Sequence, residues 1–186
     1  MSVTKNLSLI LAELTTNQSC INEEGLQELV TEILRANHVF LAGAGRSGVA
    51  IRAFANRLMH LGKSVSLVGD ISSPHSRPGD LLIVGSGSGE TESLVALARK
   101  AHRGGVRTGL ITMDDTSTIG HLADAVVVLP GVSPKLRGAA QVTSIQPMGS
   151  AFEQISFLTY DAIILELMQR MGETTDTMFP RHADLE

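Results

Sequence analysis

His38-Val39-Phe40-Leu41-Ala42-Gly43-Ala44-Gly45-Arg46-Ser47-Gly48 runs from a short apolar stretch into a glycine-rich turn, and a helical pattern follows over 47–61. A second passage repeats the order: Leu81-Leu82-Ile83-Val84, then Gly85-Ser86-Gly87-Ser88-Gly89-Glu90-Thr91, then a helical pattern over 90–103. Strand, loop and helix in that order, twice, predict a parallel α/β sheet. The loops then lie at the carboxyl ends of strands, where helix amino termini offer unpaired N–H groups to an anion. A small phosphorylated metabolite is the ligand this arrangement suits.

Outward from these passages the alternation continues. Helical spacing of Leu7, Ile10, Leu11 and Leu14 predicts a helix over 3–16, and Leu26, Val30, Ile33 and Leu34 predict another over 23–36. Strands are expected at 38–42, 64–68, 81–84, 108–112 and 125–129, with a shorter helical pattern near 117–123. Gly62 and the pair Gly104-Gly105 stand where left-handed helix ends are wanted. The expected architecture is a five-stranded parallel sheet between helices, doubly wound in the order 2-1-3-4-5, with extra amino-terminal helices. The loops after the first and third strands would then share the crevice at the topological switch point. A Gly/Pro-bearing connection over 130–149 leads to a long helix over 151–171, and a polar tail starts at 173. That last helix is apolar on much more than one stripe, so it is either buried under the sheet or covered by another subunit.

The 186 residues, 43% apolar and 18% charged, suit one domain over 1–186 with a full core. A net charge of −4 without a basic run gives no electrostatic case for nucleic acid or an anionic membrane surface. No apolar stretch reaches the ~20 residues of a membrane span, and no leader pattern opens the chain, so a cytoplasmic protein is expected. Cys20 has neither a metal partner nor a nucleophile's setting.

The first loop is formally GxGxxG, with Asp70 near the position of a ribose-binding carboxylate. Chain length leaves no room for a second mononucleotide half, and Arg46 and Ser47 place a cation and a hydroxyl inside the turn. The second loop brings Ser86, Ser88 and Thr91 together among three glycines, so that hydroxyls and N–H groups converge on one phosphate. It lacks a P-loop lysine, which disfavours nucleoside triphosphates. Glu153 follows Ser150 at the capping-box spacing and is either a helix cap or a carboxylate held near a ligand. His60 lies thirteen residues beyond Ser47, about 20 Å along a helix. It is either a partly exposed helix-end histidine or a group serving a neighbour's site; His182 lies in a tail that is either disordered or reaches across an interface.

Gly43-Ala44-Gly45-Arg46-Ser47-Gly48 and Ser86-Gly87-Ser88-Gly89-Glu90-Thr91 resemble the sugar isomerase (SIS) domain family. Arg57-Leu58-Met59-His60-Leu61-Gly62, Gln146-Pro147-Met148-Gly149-Ser150 with Phe152-Glu153, and Arg181-His182-Ala183-Asp184-Leu185-Glu186 narrow the likeness to the 6-phospho-3-hexuloisomerases, except that Asp184 stands where Asn is usual. The resemblance implies interconversion of D-arabino-hex-3-ulose 6-phosphate and fructose 6-phosphate in formaldehyde fixation. It implies no metal or organic cofactor, and a homo-oligomer, usually a tetramer, with sites near subunit boundaries. Glu153, His60 and His182 are the expected catalytic groups; Gly45, Arg46, Ser47, Ser86, Ser88 and Thr91 are expected to hold the phosphate. An isomerase of arabinose 5-phosphate or sedoheptulose 7-phosphate, or a sugar-phosphate sensor without catalysis, would use the same loops.

Overall fold

The structure, a computed structural model, describes residues 2–132 and 143–185. Two helices, α1 (Val3–Gln18) and α2 (Glu23–Arg35), precede the sheet. There follow β1 (Val39–Gly43), α3 (Gly45–His60), β2 (Val65–Leu67), β3 (Leu81–Gly85), α4 (Glu92–Arg103), β4 (Arg107–Thr112) and β5 (Ala125–Val128). The long helix α5 (Ser150–Met171) and a single-turn helix α6 (Thr175–Met178) close the chain. All strands are parallel and the order is β2-β1-β3-β4-β5, the doubly wound order expected from the sequence.

Alternation within the strands divides the core into two layers. Val39 and Leu41 of β1, with Leu81 and Ile83 of β3, face α2, α3 and α5. Phe40, Ala42, Leu82 and Val84 face α4. β2 is the sheet's edge and only half-buried. No helix joins β2 to β3; residues 68–80 connect them.

Two expectations need correction. The pattern near 117–123 forms only a 3₁₀ turn, Gly120–Leu122, because the segment is tied down by side chains: Ser117 Oγ donates to Asp114 O at 2.8 Å and accepts from Gly120 N at 3.2 Å. The tail is not a loose polar end. Met178 is buried, Phe179–Arg181 is a 3₁₀ turn, and Arg181 Nη1 donates to His60 O at 2.8 Å. Much of the connection over 130–149 lies outside the described residues. In α5, Phe152, Ile155, Tyr160, Ile163 and Leu167 are buried within the chain, while Phe157, Leu158 and Leu165 are exposed.

Candidate active site

β1 and β3 are neighbours, so their carboxyl ends open side by side into a crevice of about 680 Å³. Gly45, Arg46 and Ser47 line one wall, Ser86, Ser88 and Thr91 another, and Met148, Phe152 and Glu153 a third. Six of the expected phosphate ligands and Glu153 are therefore in one place. The size is that of a small-metabolite site.

Three helices, α3, α4 and α5, begin at this crevice, and none has a side-chain cap; their cap positions are Ala44, Thr91 and Gly149. The helices that begin elsewhere are capped: Ser2 bonds Lys5 N, Asn22 bonds Glu24 N, and Thr174 bonds Thr177 N. Uncapped helix starts leave N–H donors and the positive end of each macrodipole for a ligand, and here three converge. An anion suits that potential, and hydroxyls suit an anion with several oxygens.

The glycines make the approach possible. Gly45 and Gly89 have φ of +57° and +62°. The serine loop is braced from outside: Glu90 accepts from Thr118 N, Thr112 Oγ1 donates to Gly87 O at 3.2 Å, and Ser86 N donates to Ile111 O at 3.0 Å. This support from the end of β4 and the segment after it comes from residues distant in sequence, which local motif reading does not link.

Glu153 is not a capping-box residue. Gly149 takes the cap position, Ser150 is already helical, and Glu153 Oε2 accepts instead from Arg46 Nε. Its side chain is 19% exposed. Ser88 likewise does not cap α4; its Oγ accepts from Glu90 N at 3.3 Å within the loop. Asp70 is exposed in a turn after β2, and the crevice does not include it.

His60 and His182 lie apart from these groups, at the other end of α3. They stack with ring centroids 5.1 Å apart and line a separate cavity of about 350 Å³ with Arg57, Asp161, Thr175 and Phe179. His60 is 4% exposed, so it is not the partly exposed helix-end histidine of one sequence reading; the folded-back tail covers it. Arg57 Nη1 donates to His60 Nδ1 at 3.3 Å, and since a guanidinium only donates, the imidazole proton sits on Nε2. His182 Nδ1 donates to Ala183 O at 2.9 Å, which leaves Nε2 the acceptor in the neutral ring. Arg181 builds this arrangement: beside its bond to His60 O, it grips Glu173 at 2.9 and 3.1 Å. Its role is invisible in a motif read without the fold.

Burial holds His60 below its ordinary pKa of 6.5, and the cation of Arg57 and the neighbouring His182 add to the effect. The folded state therefore binds fewer protons than the unfolded chain as pH falls through 6.5. His60 contributes stability that is full above that value and is lost below it. His38, lowered mainly by burial against Asp80's opposing pull, works in the same direction. We expect denaturant midpoints measured from pH 7.5 to 5 to fall less steeply for His60→Gln than for the wild type. Parallel profiles would show that His60 takes up its proton without cost in the folded chain.

Comparison with known proteins agrees with this geometry. The model of the SIS domain matches residues 32–157. The 3-hexulose-6-phosphate isomerase of Bacillus subtilis (strain 168) is 44% identical over 186 residues, covering 100% of both chains. That of Mycobacterium gastri is 38% identical, over 99% of this chain and 92% of its own. Among solved structures, a Methanococcus jannaschii protein for which 3-hexulose-6-phosphate isomerase function was inferred superposes with a TM-score of 0.82 at 30% identity, over 98% of this chain and 99% of its own. With its order of strands, its two glycine-bearing loops and these relatives, the chain belongs to the SIS domain family, in the group of the 3-hexulose-6-phosphate isomerases.

Proposed function

We propose that the protein interconverts D-arabino-hex-3-ulose 6-phosphate and fructose 6-phosphate through a 2,3-enediol, the second step of formaldehyde fixation by the ribulose monophosphate route. The observation that carries this reading is one carboxylate, Glu153, facing a phosphate cradle built from three uncapped helix starts. A 3-hexulose phosphorylated at C6 cannot close a five-membered ring through O6, so it arrives as the open ketone.

Ser47, Ser86, Ser88 and Thr91, with the N–H groups around Gly45 and Arg46, hold the 6-phosphate. Binding energy from that remote group then fixes C2 and C3 against Glu153. Glu153 takes the proton from C2, the electrons move to O3 to give the enediol, and the same carboxyl returns the proton to C3 as the carbonyl forms at C2. Meanwhile a proton must pass from O2 to O3. His60 and His182, two imidazoles stacked 5.1 Å apart, suit that transfer, and α3 holds them about 20 Å from their own chain's crevice. A neighbouring subunit therefore supplies the pair, and we assign the assembly as a tetramer with sites at subunit boundaries. The exposed Phe157, Leu158 and Leu165 of α5 support such packing. We place the enzyme in the cytoplasm, where the phosphorylated sugars are made; among the described residues no helix is long and apolar enough to cross a membrane.

The test is incubation with fructose 6-phosphate in D₂O, followed by proton NMR. Deuterium at C3 together with a new 3-hexulose 6-phosphate is the expected result. Exchange at C1 would assign 1,2-isomerisation, and saturable binding without exchange would assign a sensor; either overturns the proposal.

A further inference from the structure

Arg46 stands between the two halves of the crevice. Its backbone belongs to the first turn of α3, among the groups that face a phosphate, yet its side chain donates Nε–H to Glu153 Oε2. The guanidinium side is 68% exposed and the carboxylate side 19% exposed, so the arginine can swing while the carboxylate stays held in the wall. While Oε2 holds that N–H its negative charge is shared with the guanidinium, which weakens it as the acceptor of a proton from carbon. The group assigned as the base is thus engaged by Arg46 through one of its two oxygens.

We propose that Arg46 makes turnover depend on the phosphate, by leaving Glu153 for the substrate's phosphate as it enters; this rests on the reading of Glu153 as the base. The chemistry favours the exchange. A phosphate dianion carries more charge than a carboxylate and presents oxygens that match the Nε and Nη edge of a guanidinium in two parallel bonds. Two-point capture on that edge takes the Nε–H now given to Glu153. The uncapped starts of α3, α4 and α5 draw the dianion to the place from which Arg46 can be reached. A sugar lacking the phosphate then fails for two reasons: it binds weakly, and it meets a base that is still engaged. Arg46 becomes a specificity-determining residue as well as a phosphate ligand.

Two measurements test this on the intact protein. In the first, the ¹⁵N resonance of Arg46 Nε is followed while inorganic phosphate is added. The expected result is a saturable shift in step with the backbone amides of Ser86–Thr91, and loss of the coupling to Glu153 across the hydrogen bond. An Nε–H that keeps its bond to Glu153 while the loop amides saturate means that Arg46 bridges both anions, and the proposal falls. In the second, deuterium exchange at C3 of unphosphorylated D-fructose is compared with and without phosphite. Wild type should be activated at least tenfold, whereas Arg46→Gln should show faster exchange without phosphite and less than twofold activation. Equal activation of both proteins overturns the proposal. Should exchange be too slow to read, the resonance experiment decides alone. If phosphate moves Arg46 while Glu153→Gln isomerises fructose 6-phosphate like the wild type, the exchange of partners stands and the assignment of Glu153 as base fails.

Discussion

Replacing Glu153 by Gln should lower kcat for fructose 6-phosphate about 10²–10⁴-fold while leaving KM within a few-fold, because a positioned base contributes on that order and the phosphate cradle is untouched. The amide keeps the shape and can still accept from Arg46, so the wall of the crevice survives. Nor should the fold suffer: Arg46 is 68% exposed, and a pair of that kind contributes about 0–1 kcal/mol. The measurement therefore has two parts, a turnover assay and a thermal midpoint. A fall of less than tenfold with an unchanged midpoint would remove Glu153 from the chemistry and leave the carboxylate as Arg46's anchor alone. A large fall in KM's partner constant, kcat, with C3 exchange lost in the same proportion, assigns the proton transfer itself to this group.

How far the fold and the site could be read from the chain depends on the range of the interactions involved. Local patterns succeeded where they are physically sufficient. Apolar runs ending in glycine marked β1 and β3, and the loops after them meet in one crevice as the order β2-β1-β3-β4-β5 requires. Gly62 and Gly105, with φ of +85° and +67°, do occupy left-handed positions after α3 and α4. Local patterns misled where a distant partner decides. The Ser150–Glu153 spacing reads as a capping box, but Arg46, from the start of another helix, takes the carboxylate. His60 reads as a helix-end histidine half in water, yet a tail that returns after α6 stacks His182 on it and ties Arg181 to its carbonyl. Neither contact leaves a periodic trace. The short helical pattern at 117–123 failed for a related reason, since Ser117 and Asp114 satisfy the backbone locally and stop propagation beyond one 3₁₀ turn.

The last glycine of the GxGxxG in the first loop can itself be put to the test, because the structure gives it a packing reason that requires no ligand. Gly48 lies in the first turns of α3, directly over Gly43 at the end of β1. A Cβ there would sit 2.8 Å from Gly43 O and 3.0 Å from its carbonyl carbon, and a Cβ on Gly43 would meet Gly48 Cα at 3.0 Å. Helix propensity alone predicts that Gly48→Ala stabilises the protein by up to about 1 kcal/mol. Packing predicts the opposite sign. The methyl meets backbone, which cannot rotate away, so α3 must lift from β1, and overpacking of this kind costs about 1–3 kcal/mol. The part of α3 that lifts is the wall carrying Arg46 and Ser47, and a displacement near 1 Å at a positioning wall costs about 10² in kcat/KM. Gly45→Ala separates this cause from backbone strain: its φ is +57° and nothing lies within 4 Å of a Cβ there, so it should lose about 1–2 kcal/mol through conformation without moving the helix. We therefore expect Gly48→Ala to be less stable than the wild type and to lose about 10² in kcat/KM. A Gly48→Ala protein that is more stable than the wild type and fully active would mean that β1 and α3 accommodate the methyl and that their close approach does not set the position of the wall.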